Sequence, residues 1–326
     1  MPLRVHFYRI SFEEHCEQFK SLLDPNIQIS EGDKIPQPAD YEILVYPTPN
    51  EEWLEASPNL RAIVVPWAGI PSKTREIMAK YPKISIHNLH HNNYNTAELG
   101  LTLLLAAAKR LIPMDQALRQ NDWSPRYQPT RAILLRNRIA LILGFGEIGQ
   151  AMSQYCLALG MTVKAIKKHP SNDNGDLSVQ IYATNQLHAL LPNTDALIIA
   201  LPLTDETENL INETELNLMP QGSILVNIGR GPIVNQQALY AALKNGHLRA
   251  AGSDVWYNYP PSKQEIANTA PADVPFGELD NFVLSPHRGG MVEEVELQRM
   301  QALAKLLNAA SQGQPIPNKV DLQAGY

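Results

Sequence analysis

Cysteine is almost missing from this sequence, with 2 among 326 residues, and Cys16 and Cys156 stand far apart and outside any CxxC pair. That rules out a disulfide framework or a cysteine zinc site and favours a reducing compartment, so a cytoplasmic location is expected. Excess positive charge is also lacking: 27 Lys and Arg stand against 33 Asp and Glu, a net charge of −6, with no basic block. Neither a nucleic-acid partner nor an anionic membrane surface is expected. No apolar stretch approaches the roughly 20 residues that cross a bilayer, and the opening MPLRVHFYRI has no long hydrophobic core or cleavage-like site. What the chain does have is 44% hydrophobic and 18% charged residues, a composition able to fill real cores. At about 100 to 200 residues per domain, its length predicts two domains.

Short β-like runs (LRVHFYRI, EILVY, LRAIVV, ISIHN) alternate with polar or helical segments up to about residue 90 and read as a small α/β domain. AELGLTLLLAAAKRL, from Ala97 to Leu111, predicts a long buried helix crossing between domains. From Ile139 onward, strands and helices alternate more regularly through IALILG, MTVKAI, ALIIALP, SILVNIG and LRAAGSDV. Such order favours a doubly wound parallel sheet. Val295, Met300, Leu303, Leu306 and Leu307 recur at helical spacing near the C-terminus, which is expected to pack back on the first domain. The proline-rich stretch from Pro260 to Pro275 reads as a surface loop.

Strand IALIL runs straight into Gly144-Phe145-Gly146-Glu147-Ile148-Gly149 and then a helix, the context that gives a glycine pattern its meaning. The first glycine permits the turn, the second lets backbone approach a pyrophosphate, and the third lets helix and strand pack. Free N–H groups at the helix N-terminus suit the phosphate charge. The next strand ends at Lys167, where an NAD site usually carries an acid for the ribose hydroxyls. Lys167 and Lys168 stand there instead, either pointing into water or meeting a 2′-phosphate. The latter predicts NADP(H) preferred over NAD(H).

Arg230 in NIGRGPIVN and His287 in SPHRGG each sit just past a predicted strand, where α/β sheets present ligand-binding side chains. A guanidinium fork can clamp a keto acid, and an imidazole can exchange a proton near neutral pH. His87, His90 and His91 lack any surrounding carboxylate or cysteine set, so no metal is expected.

Taken in order, NTAELGLTLLLAAAKR, GFGEIG, LPLTDETENLI, LMPQGSILVNIGRGPIVN, AAGSDVW and SPHRGG resemble the D-isomer-specific 2-hydroxyacid dehydrogenases, a family that includes glyoxylate or hydroxypyruvate reductases and formate dehydrogenases. The resemblance implies a Rossmann-type domain, residues 102–287, inserted into a smaller flavodoxin-like substrate domain of residues 1–101 and 288–326. It implies catalysis by Arg230 and His287 on a small anionic keto or hydroxy acid, with homodimers usual. Backbone at Ala68, Gly69 and Ile70 in VVPWAGIPSK would receive the substrate carboxylate, with Trp67 either narrowing the pocket or lying in the core. Asn92 matches an Asn near substrate in formate dehydrogenases and is equally a turn residue. Leu201, Pro202, Thr207, Ile228 and Asp254 would line the cofactor, Asp254 at the nicotinamide carboxamide.

Two departures stand out. Asn235 replaces a frequent Asp, yet either can cap the helix that follows. In DVWYNYPP, Tyr259 holds the place where most hydroxyacid-specific members carry the Glu that partners the histidine. A phenol titrates near 10, so it brings no anion, and the His287 pKa is expected to fall. Glu265 or Glu278 could substitute through the loop. The expected activity is reduction of small 2-keto acids of the glyoxylate or hydroxypyruvate kind. A catalytically weak dinucleotide sensor and a formate-dehydrogenase-like enzyme are the alternatives.

Overall fold

The computed structural model describes residues 2–9, 15–129, 131–170 and 178–322. The chain divides into two compact units, Met1–Asn92 with Val292–Tyr326, and Asn93–Met291. Both are α/β, as the alternation of short apolar runs with helical segments predicts.

The smaller unit is built on five parallel strands: β1 (Leu3–Phe7), β2 (Ile27–Glu31), β3 (Ile43–Val45), β4 (Ala62–Val64) and β5 (Ser85–His87), in the order β2-β1-β3-β4-β5. That is the flavodoxin-like order. Side chains alternate across the sheet, as strand geometry requires. Val5, Phe7, Ile43, Val45 and Val64 share one core with Met300, Leu303, Leu306 and Leu307 of helix Val295–Ser311. Leu44, Ile63 and Ile86 point the other way, against Trp53 and Met78. The C-terminal helix therefore packs on the N-terminal sheet, as its spacing of apolar residues predicts. Each such leucine or isoleucine, fully buried, contributes on the order of 1.5–3 kcal/mol.

The larger unit holds seven parallel strands: β6 (Ile139–Leu143), β7 (Thr162–Ile166), β8 (Val179–Tyr182), β9 (Ala196–Ile199), β10 (Ile224–Asn227), β11 (Ala250–Ser253) and β12 (Phe282–Leu284). Their order is β12-β11-β10-β9-β6-β7-β8, doubly wound about β6. Both faces are covered, so these strands read as continuous apolar runs. Leu141, Leu143, Leu197 and Leu225 enter one core, and Ala140, Ile142, Ile198 and Val226 the other.

Helix Asn93–Lys109 belongs wholly to the larger unit, with Leu103 and Leu104 in its core and the Leu103 side chain lying over Gly252 of β11. It starts four residues before the expected Ala97, and Arg110, at φ 56°, ends it ahead of Leu111. The compact units meet at Asn92/Asn93 and Met291/Val292, whereas the resemblance implies domain bounds at 101/102 and 287/288. No helix among the described residues is long and apolar enough to cross a membrane.

Candidate functional site

The strand order of the larger unit reverses between β6 and β9, and ligands in open α/β sheets sit at the carboxyl ends of strands beside such a point. The GFGEIG turn lies there. Gly144 takes φ 97°, and a side chain on it would press within 2.7 Å of the Ala200 carbonyl oxygen. A Cβ on Gly149 would meet the Gly144 carbonyl oxygen at 2.0 Å, so the helix Glu147–Ala158 closes tightly on the turn. By contrast, a Cβ on Gly146 would meet nothing within 4 Å. Backbone at the helix N-terminus is thus open to an approaching anion, and the turn fits a pyrophosphate. Phe145 is buried, Ile148 half-buried and Glu147 exposed, the last accepting a hydrogen bond from the Asn93 side chain.

The neighbouring cofactor candidates fall on the adjoining loops. Thr207 Oγ1 donates to the Pro202 carbonyl at 2.7 Å and accepts from the Thr204 N–H at 2.8 Å, which folds the segment after β9 back on itself. Leu201 is half-buried there, and Ile228 is buried just past β10. Lys167 and Lys168 follow β7 directly. The Lys168 ammonium pairs with Glu206 at 2.7 Å, whereas no carboxylate pairs with Lys167 among the described residues.

Arg230 is placed by a buried asparagine and two glycines. Asn227, at the end of β10, accepts from the Gly229 N–H and donates to the Arg230 carbonyl. A Cβ on Gly229 would come within 2.6 Å of the Leu201 carbonyl oxygen, and one on Gly231 within 2.4 Å of the Trp256 backbone. The loop carrying Arg230 is therefore wedged between the cofactor loop and the DVW segment. Asn235 then caps helix Gln236–Lys244, accepting from the Ala238 N–H at 3.1 Å, as the sequence predicts.

His287 stands in the left-handed region at φ 57°, uncommon outside glycine. Its loop hangs on Asp254, a buried carboxylate at the end of β11. Asp254 accepts from Ser285 Oγ at 2.5 Å, from the Arg288 N–H at 2.8 Å and from the Gly289 N–H at 2.7 Å. Trp256 adds a second tie, its indole N–H donating to the Ser285 carbonyl. The ring itself meets Tyr259, whose hydroxyl lies 2.8 Å from Nδ1 and also accepts from the Trp256 N–H at 3.1 Å. Burial pulls the His287 pKa below its ordinary value of 6.5; the charge of Arg230 lowers it further, and Asp254 opposes both. The Arg230 guanidinium itself donates to the Gly229 carbonyl at 2.7 Å.

Three donors already occupy Asp254, out of about four lone-pair positions on a carboxylate, so its first task is to hold the histidine loop. In Asp254→Asn, an NH2 would confront one of those N–H groups. A loss of about 1–3 kcal/mol is expected, read as an earlier midpoint in chemical denaturation followed by tryptophan fluorescence.

The smaller unit carries the other candidates. Asn88, buried after β5, donates to the Ala68 carbonyl at 2.7 Å and so shapes the Ala68-Gly69-Ile70 turn. Trp67 is 41% exposed, which removes it from the core. Asn92 is half-buried at the end of the unit. His87 bonds the Pro317 carbonyl and Ser85 Oγ, a structural pairing. Sequence reasoning missed Asn88, Asn227, Trp256 and Ser285 as the residues that hold these loops. Three of them, Asn227, Trp256 and Ser285, lie in the NIGRG, DVW and SPH motifs, and Asn88 lies in none.

The larger unit is a dinucleotide-binding domain of the doubly wound class. Residues 101–289 match the family described as "D-isomer specific 2-hydroxyacid dehydrogenase, NAD binding domain". Among relatives, glyoxylate reductase of Aeropyrum pernix is 35% identical over 232 residues, covering 69% of this chain and 66% of that protein. D-3-phosphoglycerate dehydrogenase of Archaeoglobus fulgidus is 29% identical over 272 residues, 83% of this chain but 49% of that protein. The chain thus spans about half the length of that relative. In fold it is similar to the D-isomer specific 2-hydroxyacid dehydrogenase from Xanthobacter autotrophicus Py2 in complex with NADPH and MES, with a TM-score of 0.80 at 20% identity over 100% of both chains. The chain belongs to the D-isomer-specific 2-hydroxyacid dehydrogenase family.

Proposed function

We propose that the chain is an NADPH-preferring reductase of small 2-keto acids of the glyoxylate or hydroxypyruvate kind, yielding 2-hydroxy acids. The observation that carries this reading is that Arg230 and His287 stand just past the carboxyl ends of β10 and β12, in the same sheet as the glycine turn of β6, with the histidine loop held by Asp254 and the ring met by Tyr259. A bound dihydronicotinamide supplies the hydride. Arg230 orients the substrate carboxylate and polarises the carbonyl, and His287 gives the proton to the forming alkoxide. Ala68, Gly69 and Ile70 of the smaller unit, the substrate domain in this reading, are assigned to the substrate carboxylate, and Asn92 to the substrate. Asp254 keeps the histidine loop in place and presents its remaining acceptor position to the carboxamide. The homologous glyoxylate reductases support the substrate class.

The cofactor preference rests on Lys167, which continues β7 where a ribose-binding acid would stand. Lys168 contributes less, because Glu206 shares its charge. The expected partner is a second copy of the chain. Leu111, Leu118, Trp123 and Tyr127, all exposed along helix Leu111–Arg119 and the segment after it, support a homodimer. The test is oxidation of NADPH and of NADH with a panel of 2-keto acids. At least a tenfold higher kcat/KM with NADPH, about 1.4 kcal/mol, is expected. A tenfold preference for NADH would overturn the cofactor assignment. Tight cofactor binding without turnover of any keto acid would instead favour a dinucleotide sensor.

A further inference from the structure

A carboxylate beside a catalytic imidazole can only accept. It therefore draws a proton onto the near ring nitrogen and leaves the far one as a base in the neutral ring. The Tyr259 hydroxyl both donates and accepts, and its surroundings decide which. The Trp256 N–H already reaches its oxygen at 3.1 Å, occupying an acceptor position. The hydroxyl proton remains, and His287 Nδ1 lies 2.8 Å away. Donating to Nδ1 satisfies both groups at once. In the reverse arrangement the phenol oxygen would accept from two N–H groups and turn its own proton elsewhere.

We propose that Tyr259 is a positioning residue that holds the proton of the neutral His287 ring on Nε2, the nitrogen turned away from it. This deepens the reading of His287 as the proton donor and rests on it. Hydrogen bonding to the neutral form disfavours the charged one. The neighbours act in the same direction on balance: among the described residues Arg230, beyond β10, repels the imidazolium, and Asp254, at the end of β11, attracts it. Arg288, next along the same loop, lends Asp254 its backbone N–H, and Asp254 also accepts from Gly289, so that carboxylate is partly committed. The two rings are tilted 54° with centroids 5.5 Å apart, so the contact is edge-on through the hydroxyl and not a stack. Tyr259 is 47% exposed, which leaves room for a larger or charged substituent in its place.

The experiment uses the full chain with 15N-labelled histidine, the His287 signals being assigned by their loss in His287→Gln and followed by NMR over roughly pH 5 to 9. In the native protein the neutral ring should show an acceptor-type Nδ1 and a protonated Nε2. Tyr259→Glu should reverse the pair and raise the His287 pKa by about one unit. The fall of kcat/KM for keto-acid reduction should move to higher pH by the same amount, a roughly tenfold gain above the native limb. A protonated Nδ1 in the native neutral ring overturns the proposal. So does a Tyr259→Glu protein whose tautomer and pKa stay where they were. If Tyr259→Glu does not fold, Tyr259→Phe reads the same bond, because Nδ1 deprived of its donor should move downfield, and an unmoved resonance overturns the assignment. The NMR result stands even if no keto acid is turned over, so it can be told apart from a failure of the enzymatic reading.

Discussion

His287→Gln should lower kcat/KM for keto-acid reduction by about 10²–10⁴-fold, the range that positioned proton transfer contributes. The dinucleotide Kd, measured by fluorescence titration, should hardly change, because His287 lies outside the GFGEIG turn and the loops after β7 and β9 that are assigned to the dinucleotide in the proposed reading. In the proposed reaction, reduction consumes the imidazolium. Since burial and Arg230 pull the His287 pKa below 6.5, kcat/KM for reduction should fall as pH rises through that lowered value. Alcohol oxidation needs Nε2 free as a base, which a neutral ring protonated on Nε2 does not offer, so oxidation should stay slow in the native protein and rise through the ring's titration only in Tyr259→Glu. His287→Gln should flatten the limb of reduction. A variant retaining native turnover and pH profile would remove His287 from the chemistry.

The path from sequence to this site was uneven, for physical reasons. Parallel strands buried on both faces announce themselves as apolar runs, so both sheets, their class and the glycine turn after β6 were legible. So was the Asn235 cap, because capping is local. Arg230 and His287 are proposed from motif context. The sequence puts Tyr259 where the usual carboxylate partner of the ring would stand and leaves Glu265 or Glu278 as possible substitutes. The structure supplies Tyr259 itself, while Glu265 accepts from Ser262. Nothing local in DVWYNYPP shows that the phenol turns back to both the Trp256 N–H and the imidazole, since His287 lies 28 residues further on. Asp254 hides its role for the same reason, its donors at 285 to 289 being joined to it only by the pairing of β11 with β12. The Lys168–Glu206 pair spans 38 residues and was equally invisible. Long-range polar contacts follow from topology, which no short window of sequence contains.

Arg230→Leu should cost about 10²–10³-fold in kcat/KM for keto acids, the usual consequence of losing one strong donor at a developing negative charge. Arg230→Lys tells the role of charge from that of shape. A lysine restores the point charge but not the planar fork, so recovery should be partial and confined to KM, with kcat still depressed. The loop keeps the ties of Asn227 to the Gly229 N–H and the Arg230 carbonyl, although Arg230→Leu also removes the guanidinium's own bond to the Gly229 carbonyl at 2.7 Å. A second readout separates a substrate clamp from a structural arginine. The Arg230 charge lowers the His287 pKa, so Arg230→Leu should raise it and carry the limb of reduction to higher pH, whereas Arg230→Lys should leave the limb near its native position. If both substitutions lower activity equally and neither moves the limb, the guanidinium does not face the imidazole in solution, and the clamp must be sought elsewhere.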